Sequence, residues 1–504
     1  MNARLFRLSK ISFAFFPMEL RLHRAAAVTI AALAAGCVSY AGLAPRSSPG
    51  DPNALSAERS LAGAKLSPAA WPASDWWKRF GDPQLDALID EALAGSPSMG
   101  AARARLDKAV ALAQAAGAAR APQVSAGADS TRQRFSENGV FPPPIAGSWF
   151  TQSQLALSFG YELDLWGKNR AAYDAALGEA RAAEVDAFAS RLLVSSGIAR
   201  VYVQLARAFD QLDLAKRTLE QRQSIYDLTR QRVAAGLDSR VELKQVETSI
   251  PAARGRIVQL EEEIALARNQ LAALAGKGPD LGLAIERPNA KSVPIALPAA
   301  LPADLIGRRP EVVAQRWRVE AARRDIDSAK AQFYPNVNLA ALAGVQSVSL
   351  SKLLDRGSED PSFGAALRLP IFDGGRLRGN LAAKDADYDL AVEQYNQMLA
   401  DALREVVDQL ASMRSVDSQR GEVEAALASA EEAYGLAVAR YRAGLGNYLQ
   451  VLAAETQVLE QRSLLADLRA RELDLSINLI RALGGGYEEA SSTTPLKPNQ
   501  GNPS

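Results

Sequence analysis

The side chains that do most enzymatic chemistry are nearly missing. The 504-residue chain has one histidine, His23, and one cysteine, Cys37. One cysteine closes no disulfide within the chain, and one Cys with one His falls short of a zinc ligand set. Both lie in the first 37 residues. Cleavage ahead of Cys37 leaves a mature chain with no imidazole for acid–base, nucleophile-activating or metal chemistry. The balance of 58 Lys and Arg against 57 Asp and Glu, net +1, offers no basic excess for nucleic acid. The expectation is a protein with no catalytic residue, no cofactor and no metal.

Cys37 itself suits a different chemistry. Arg21, His23 and Arg24 precede the run Ala25–Gly36, which is too short to span a bilayer but fits a secretory h-region. The run ends in Leu33-Ala34-Ala35-Gly36-Cys37. This resembles a bacterial lipobox, in which the thiol takes a lipid and becomes the first mature residue. Leucine is commoner where Ala34 stands. Met18 offers an alternative start with a shorter basic region. The reading is a signal peptide at 1–36, a Pro/Ser/Ala-rich lipid-anchored linker at 37–70 and a flexible polar tail at 487–504.

What lies between reads as two copies of one design. Tyr226, Gly236 and Leu237 are echoed by Tyr434, Gly444 and Leu445, and Glu247-Thr248 by Glu455-Thr456, each 208 positions on. Pro122 is echoed by Pro335 at 213, so the first copy carries extra loop residues around Pro142–Pro144. The copies span 71–290 and 291–486. Each reads helix, strand, strand, long helix, shorter helix. Proline-free helices over 168–235 and 376–443 are each about 100 Å long. Shorter helices follow at 238–275 and 446–483, and others precede the strands at 98–120 and 310–333. Ile198, Val201, Leu205, Ala208 and Leu212 form one seam, and Val185, Phe188, Leu192, Ser195 and Ala199 another. Two seams mean two neighbours, in a tube wall or a coiled-coil rod alike.

The strands favour the tube. Leu155, Leu157, Phe159, Tyr161 and Leu163 alternate with small or polar residues, as do Phe363, Ala365, Leu367 and Leu369. Weaker alternation runs through Val337–Val345 and Val124–Ala128. Strands at about 123–132, 152–165, 336–348 and 362–371, apolar on one face, fit a transmembrane β-barrel. Four strands close no barrel, and lipid tolerates no open edge, so chains must combine.

Taken together, Trp76-Trp77-Lys-Arg-Phe80-Gly-Asp82-Pro83-Gln-Leu85, Tyr161-Glu-Leu-Asp164-Leu-Trp166-Gly167-Lys168, Leu305-Ile-Gly-Arg308-Arg309-Pro310-Glu311, Phe333-Tyr334-Pro335 and Pro370-Ile-Phe-Asp373-Gly374-Gly375-Arg376 resemble the TolC-like outer-membrane factors. The resemblance is to their NodT-type RND efflux lipoprotein branch and covers about residues 37–486. It implies a mainly α protein with a membrane β part. Three chains would give a twelve-stranded barrel, four strands each, continuing into a long periplasmic α-helical barrel. Segments 71–95, 276–308 and 484–490 would wrap its middle. The implied function is a passive exit duct for small toxic compounds, docked to a periplasmic membrane-fusion adaptor and an inner-membrane RND-type transporter. A type I protein secretion duct is the alternative. Val38, and not aspartate, follows Cys37, which implies sorting to the outer membrane.

The resemblance also gives the turns a role. AAGLDS and RAGLGN would be periplasmic tips that meet the adaptor through Gly236, Leu237, Asp238, Ser239, Gly444, Leu445 and Asn447. The two glycines stand where a helix reverses, and Asp238 or Ser239 also suits a helix N-cap. Gate candidates are Glu242 and its counterpart Gln450, with Tyr441 and Arg442 as contacts between tips. Glu242 reads equally as a solvated carboxylate, and Arg442 as an ordinary helix-end residue. Trp149, Tyr161, Trp166 and Tyr334 suit an interfacial belt or a packed core.

Overall fold

The structure, a computed structural model, describes residues 39–56, 58–61, 71–291 and 307–489. The signal segment, Cys37 and most of the tail lie outside the described residues. The chain is mainly helical with one four-stranded sheet. Its principal elements are α1 (Pro83–Gly95), α2 (Pro97–Ala118), β1 (Gln123–Arg134), β2 (Trp149–Leu163), α3 (Lys168–Ala234) and α4 (Arg240–Leu274). They continue with α5 (Pro310–Ala331), β3 (Asn336–Ser347), β4 (Ser362–Arg368), α6 (Arg376–Arg442) and α7 (Tyr448–Ala482). Both α3 and α6 have 67 residues, and both α4 and α7 have 35. No helix among the described residues is long and apolar enough to cross a membrane.

The chain divides into two compact units. The smaller, built from described residues 39–46, 115–174 and 323–388, holds the sheet. Its strands are antiparallel in the order β1-β2-β3-β4. Directly opposed residues share a face, and the register places like with like. Val124, Phe159, Ala341 and Phe363 form one apolar row; Ala128, Leu155 and Val345 form another; Leu163, Val337 and Leu367 a third. The other face carries Asp129, Gln154 and Gln346 in one row and Ser125, Ser158, Leu342 and Ser362 in another. Phe363 is 95% exposed, and Val124, Leu157 and Leu367 are more than half exposed. An apolar face this open belongs against lipid or another chain. Below it, the Trp166 ring stacks on Tyr334 at 4.7 Å and its Nε1 donates to the Pro335 carbonyl at 2.8 Å. These two rings of the belt-or-core question therefore pack on each other.

The larger unit, from the described residues within 47–114, 175–322 and 389–489, holds the main core. Trp76, Trp77, Phe80, Leu85 and Ile89 are buried against Ile198, Tyr202, Leu205, Leu260 and Leu271. Asp82 caps α1 by accepting from Gln84 N at 3.0 Å. Its other oxygen accepts from the Tyr202 hydroxyl and the Asn289 amide, both at 2.7 Å. The Trp-Trp–Asp-Pro motif is thus a folding device. So is the Arg308-Arg309 pair: Gly484, at φ 86°, passes so near the Arg308 carbonyl that a Cβ there would lie 1.9 Å from its oxygen. Of the segment read as a linker, Ser47 N donates to Asp389 at 2.8 Å and Gly50 N to Asn396 at 2.7 Å, which holds it on α6.

Candidate functional site: the paired helix turns

α3 turns into α4, and α6 into α7, through a glycine in the left-handed region: Gly236 at φ 72° and Gly444 at φ 77°. That conformation lets the amide beyond it fold back on the helix end. Leu237 N–H donates to the Arg232 carbonyl and Leu445 N–H to that of Arg440, each at 2.9 Å. Ser239 then caps α4, its hydroxyl oxygen accepting from Val241 N at 3.1 Å. Asn447 caps α7, accepting from Gln450 N at 3.1 Å. Glu242 accepts from Ser239 N at 2.9 Å and from the Ser239 hydroxyl, which completes a capping box. Leu237, Val241, Leu445 and Leu449 are each more than half exposed.

Beneath the turns the two hairpins are tied together. Arg232 grips Asp238 with both ends of its guanidinium, Nε to Oδ2 at 2.8 Å and Nη2 to Oδ1 at 3.0 Å. Both side chains are more than nine-tenths buried. Arg232 Nη1 donates across to the Tyr441 carbonyl at 2.6 Å, and its carbon lies 4.4 Å from the Tyr441 ring centre. The Tyr441 hydroxyl donates to Asp238 Oδ2 at 2.6 Å. An ionised carboxylate only accepts, so Tyr441 gives its proton there; its oxygen also lies 2.8 Å from Thr229 Oγ1, whose single proton is shared with the Ile225 carbonyl at 2.9 Å. Ile225, Val246, Tyr448 and Val451 bury the cluster.

The electrostatics follow from this geometry. The Arg232 hydrogen bonds, aided by Tyr441, hold the Asp238 carboxyl below its ordinary range. The Asp238 bonds push Arg232 up. Burial, then the bond to Asp238, pushes the Tyr441 phenol up to about 12. The network therefore stays ionised as Arg⁺ and Asp⁻, with a neutral tyrosine, across the physiological range.

Of the residues singled out in the sequence, Asp238 and Tyr441 meet here. Arg442 is exposed and Gln450 is exposed beside its own turn. Glu242 is engaged by Ser239 and not by the opposite hairpin. Thr229 and Arg232 were not singled out, yet they complete the network. A usable signal existed: the positions 208 further on are Ala437 for Thr229, Gly446 for Asp238, and Val233 stands where Tyr441 does. Three of the four network positions differ in chemistry between the copies, while Arg232 is matched by Arg440.

The outer membrane efflux protein family matches residues 88–277 and 301–485. The chain belongs to this family. The fusaric acid resistance protein FusA of Burkholderia cepacia is 42% identical over 367 residues, covering 72% of this chain and 69% of FusA. The multidrug resistance outer membrane protein MdtP of Escherichia coli is 33% identical over 431 residues, covering 84% and 88%. The crystal structure of the outer membrane protein VceC from Vibrio cholerae superposes with a TM-score of 0.78 at 38% identity, over 83% of this chain and all of VceC. The family consists of efflux duct components and not of enzymes. Among the described residues no group of His, Cys, Asp or Glu is placed to hold a metal ion.

Proposed function

We propose that three copies of this chain form an outer-membrane exit duct for small toxic compounds, and that the paired turns are its periplasmic gate. One observation carries the reading: the four-stranded sheet is apolar on one face and polar on the other, and its outer strands β1 and β4 each pair on one side only. A sheet with two open edges is not stable in lipid. Pairing β4 of one copy with β1 of the next joins twelve strands into a wall wide enough for an aqueous lumen. The names of the relatives, fusaric acid and multidrug resistance, support small organic cargo.

The Arg232–Asp238–Tyr441–Thr229 network holds the two hairpins of a chain together and keeps the resting duct shut. Opening parts them. It is driven by a periplasmic adaptor that binds the open arrangement more tightly, with an RND-type transporter supplying cargo from the inner membrane. Leu237, Leu445 and Asn447, exposed on the turns, suit the adaptor contact; Asp238 is occupied by the lock. Ser239 and Glu242 shape the turn. Lipidated Cys37 adds an anchor to the outer membrane.

Disruption of the gene tests the reading. Cells lacking the protein should become hypersensitive to exported compounds and regain resistance with the wild-type chain. A chain with cysteines that pin neighbouring turns by a disulfide should assemble yet fail to restore resistance until reductant is added. Full resistance from the pinned chain would move the gate elsewhere.

A further inference from the structure

Above the tip network lies a second link between the hairpins, and it is poorly satisfied. Glu455 of α7 is 5% exposed. Its Oε1 has no hydrogen-bond partner among the described residues. Its Oε2 lies 3.7 Å from Arg222 Nε of α3, too far for a hydrogen bond, and that Nε is likewise unpartnered. Arg222 spends Nη1 on the Ser249 carbonyl of α4 at 3.0 Å. The other ionisable groups facing this site are Tyr448 of α7 and Tyr434 of α6, both of which feel the Glu455 charge and both neutral. Arg442, further off, acts on Tyr434. The counterpart in the first copy behaves differently: Glu247 is exposed and takes the Lys244 ammonium at 2.6 Å. Arg222 has Ala430 as its counterpart.

A buried carboxylate with one offset cation and an empty oxygen is costly when ionised. Two events relieve it: proton uptake, or movement of α7 away from α3 that admits water. We infer that Glu455 is a pH-responsive counterweight to the tip network, biasing the hairpins apart when ionised and letting them close when protonated. This rests on the gate reading above.

Burial raises the Glu455 carboxyl above its ordinary 4.5, against the opposing pull of Arg222. Once the hairpins part, water returns the group toward that ordinary value. The closed state then holds the proton more tightly than the open one, so falling pH favours closure. Each unit by which the closed value exceeds the open one shifts the ratio of states about tenfold.

The test uses purified, full-length trimers in planar bilayers, after heat-shift electrophoresis confirms assembly of each variant. Open-state occupancy of the wild type should fall several-fold between about pH 7.5 and about pH 5, a window above the ordinary carboxylate range. Glu455→Gln should hold the low occupancy at both values. Arg222→Gln, which removes the partial counter-charge, should open more at the higher pH and fall more steeply on acidification. Tyr441→Phe should raise occupancy at both pH values and keep the pH dependence. If Glu455→Gln retains the wild-type pH response while Tyr441→Phe opens the duct, the counterweight is wrong and the gate stands. If Tyr441→Phe and Asp238→Asn leave occupancy unchanged, the gate reading fails and the inference with it.

Discussion

Asp238 is the residue on which the tip network depends, because Arg232 and Tyr441 both donate to it. Asp238→Asn leaves a buried guanidinium without its counter-charge, a loss of about 3–5 kcal/mol for a buried pair. Tyr441→Phe removes one hydrogen bond to a charged group, about 1.5–3 kcal/mol. Thr229→Val should cost less than either, since it removes a neutral bond. Leakiness of the assembled duct should follow that order, read as conductance or as entry of antibiotics too large for the intact envelope. An equal effect from all three would contradict a network centred on Asp238. The pH dependence has a definite sign. The lowered Asp238 value means its contribution is full above the ordinary 3.8 and is lost only as pH falls through the still lower folded value. The raised Tyr441 value means its contribution is full below 10 and is lost as pH climbs through about 12. Between those limits the lock itself is insensitive to pH, so a response near pH 5 must come from another group.

The helical turns set how firmly that network is held. Ser239 closes a capping box on α4, whereas Asn447 caps α7 with no reciprocal carboxylate. Replacing either cap by alanine costs about 0.5–2 kcal/mol. Ser239→Ala also removes the hydroxyl that donates to Glu242, leaving that carboxylate only the backbone amide of residue 239, so the start of α4 should lose more amide-exchange protection than the start of α7 does in Asn447→Ala. Equal losses would mean the box adds nothing. The helices themselves were legible in the sequence: the expected 168–235 and 376–443 correspond to α3 and α6, each ending one residue sooner. Unbroken heptad-like seams and a glycine at each end leave little else for the chain to form. β2 begins at Trp149, ahead of the alternation used to place it, because its first residues pair with β1 through Thr151 and Gln152, which carry no apolar signal. Arg232 was not legible as part of the site. An arginine in a last helical turn is ordinary, and only the fold brings Tyr441, far along the chain, over its guanidinium. Glu455 was visible as half of a repeated Glu-Thr pair, but burial separates it from Glu247, and burial is a property of the packed hairpins.

At the scale of the whole molecule, the sheet decides what the chain can be. Its register gathers apolar rows on one face and Asp129, Gln154 and Gln346 on the other. In a barrel closed by three copies the first face meets lipid and the second meets the lumen. The two faces should therefore respond oppositely to the same charge. Leu157 lies on the apolar face of the central strand β2, more than half exposed. An arginine there puts a guanidinium against acyl chains, at a cost of about 2–4 kcal/mol near the bilayer midplane. Three copies multiply that cost within one barrel. Gln154, on the same strand and the opposite face, accepts an arginine into water. Leu157→Arg should thus deplete heat-modifiable trimer from the outer-membrane fraction. Gln154→Arg should leave trimer abundance unchanged while shifting single-channel conductance and ion selectivity toward anions. Normal trimer yield from Leu157→Arg together with loss from Gln154→Arg would invert the barrel, and no loss from either would mean that this sheet does not lie in a membrane.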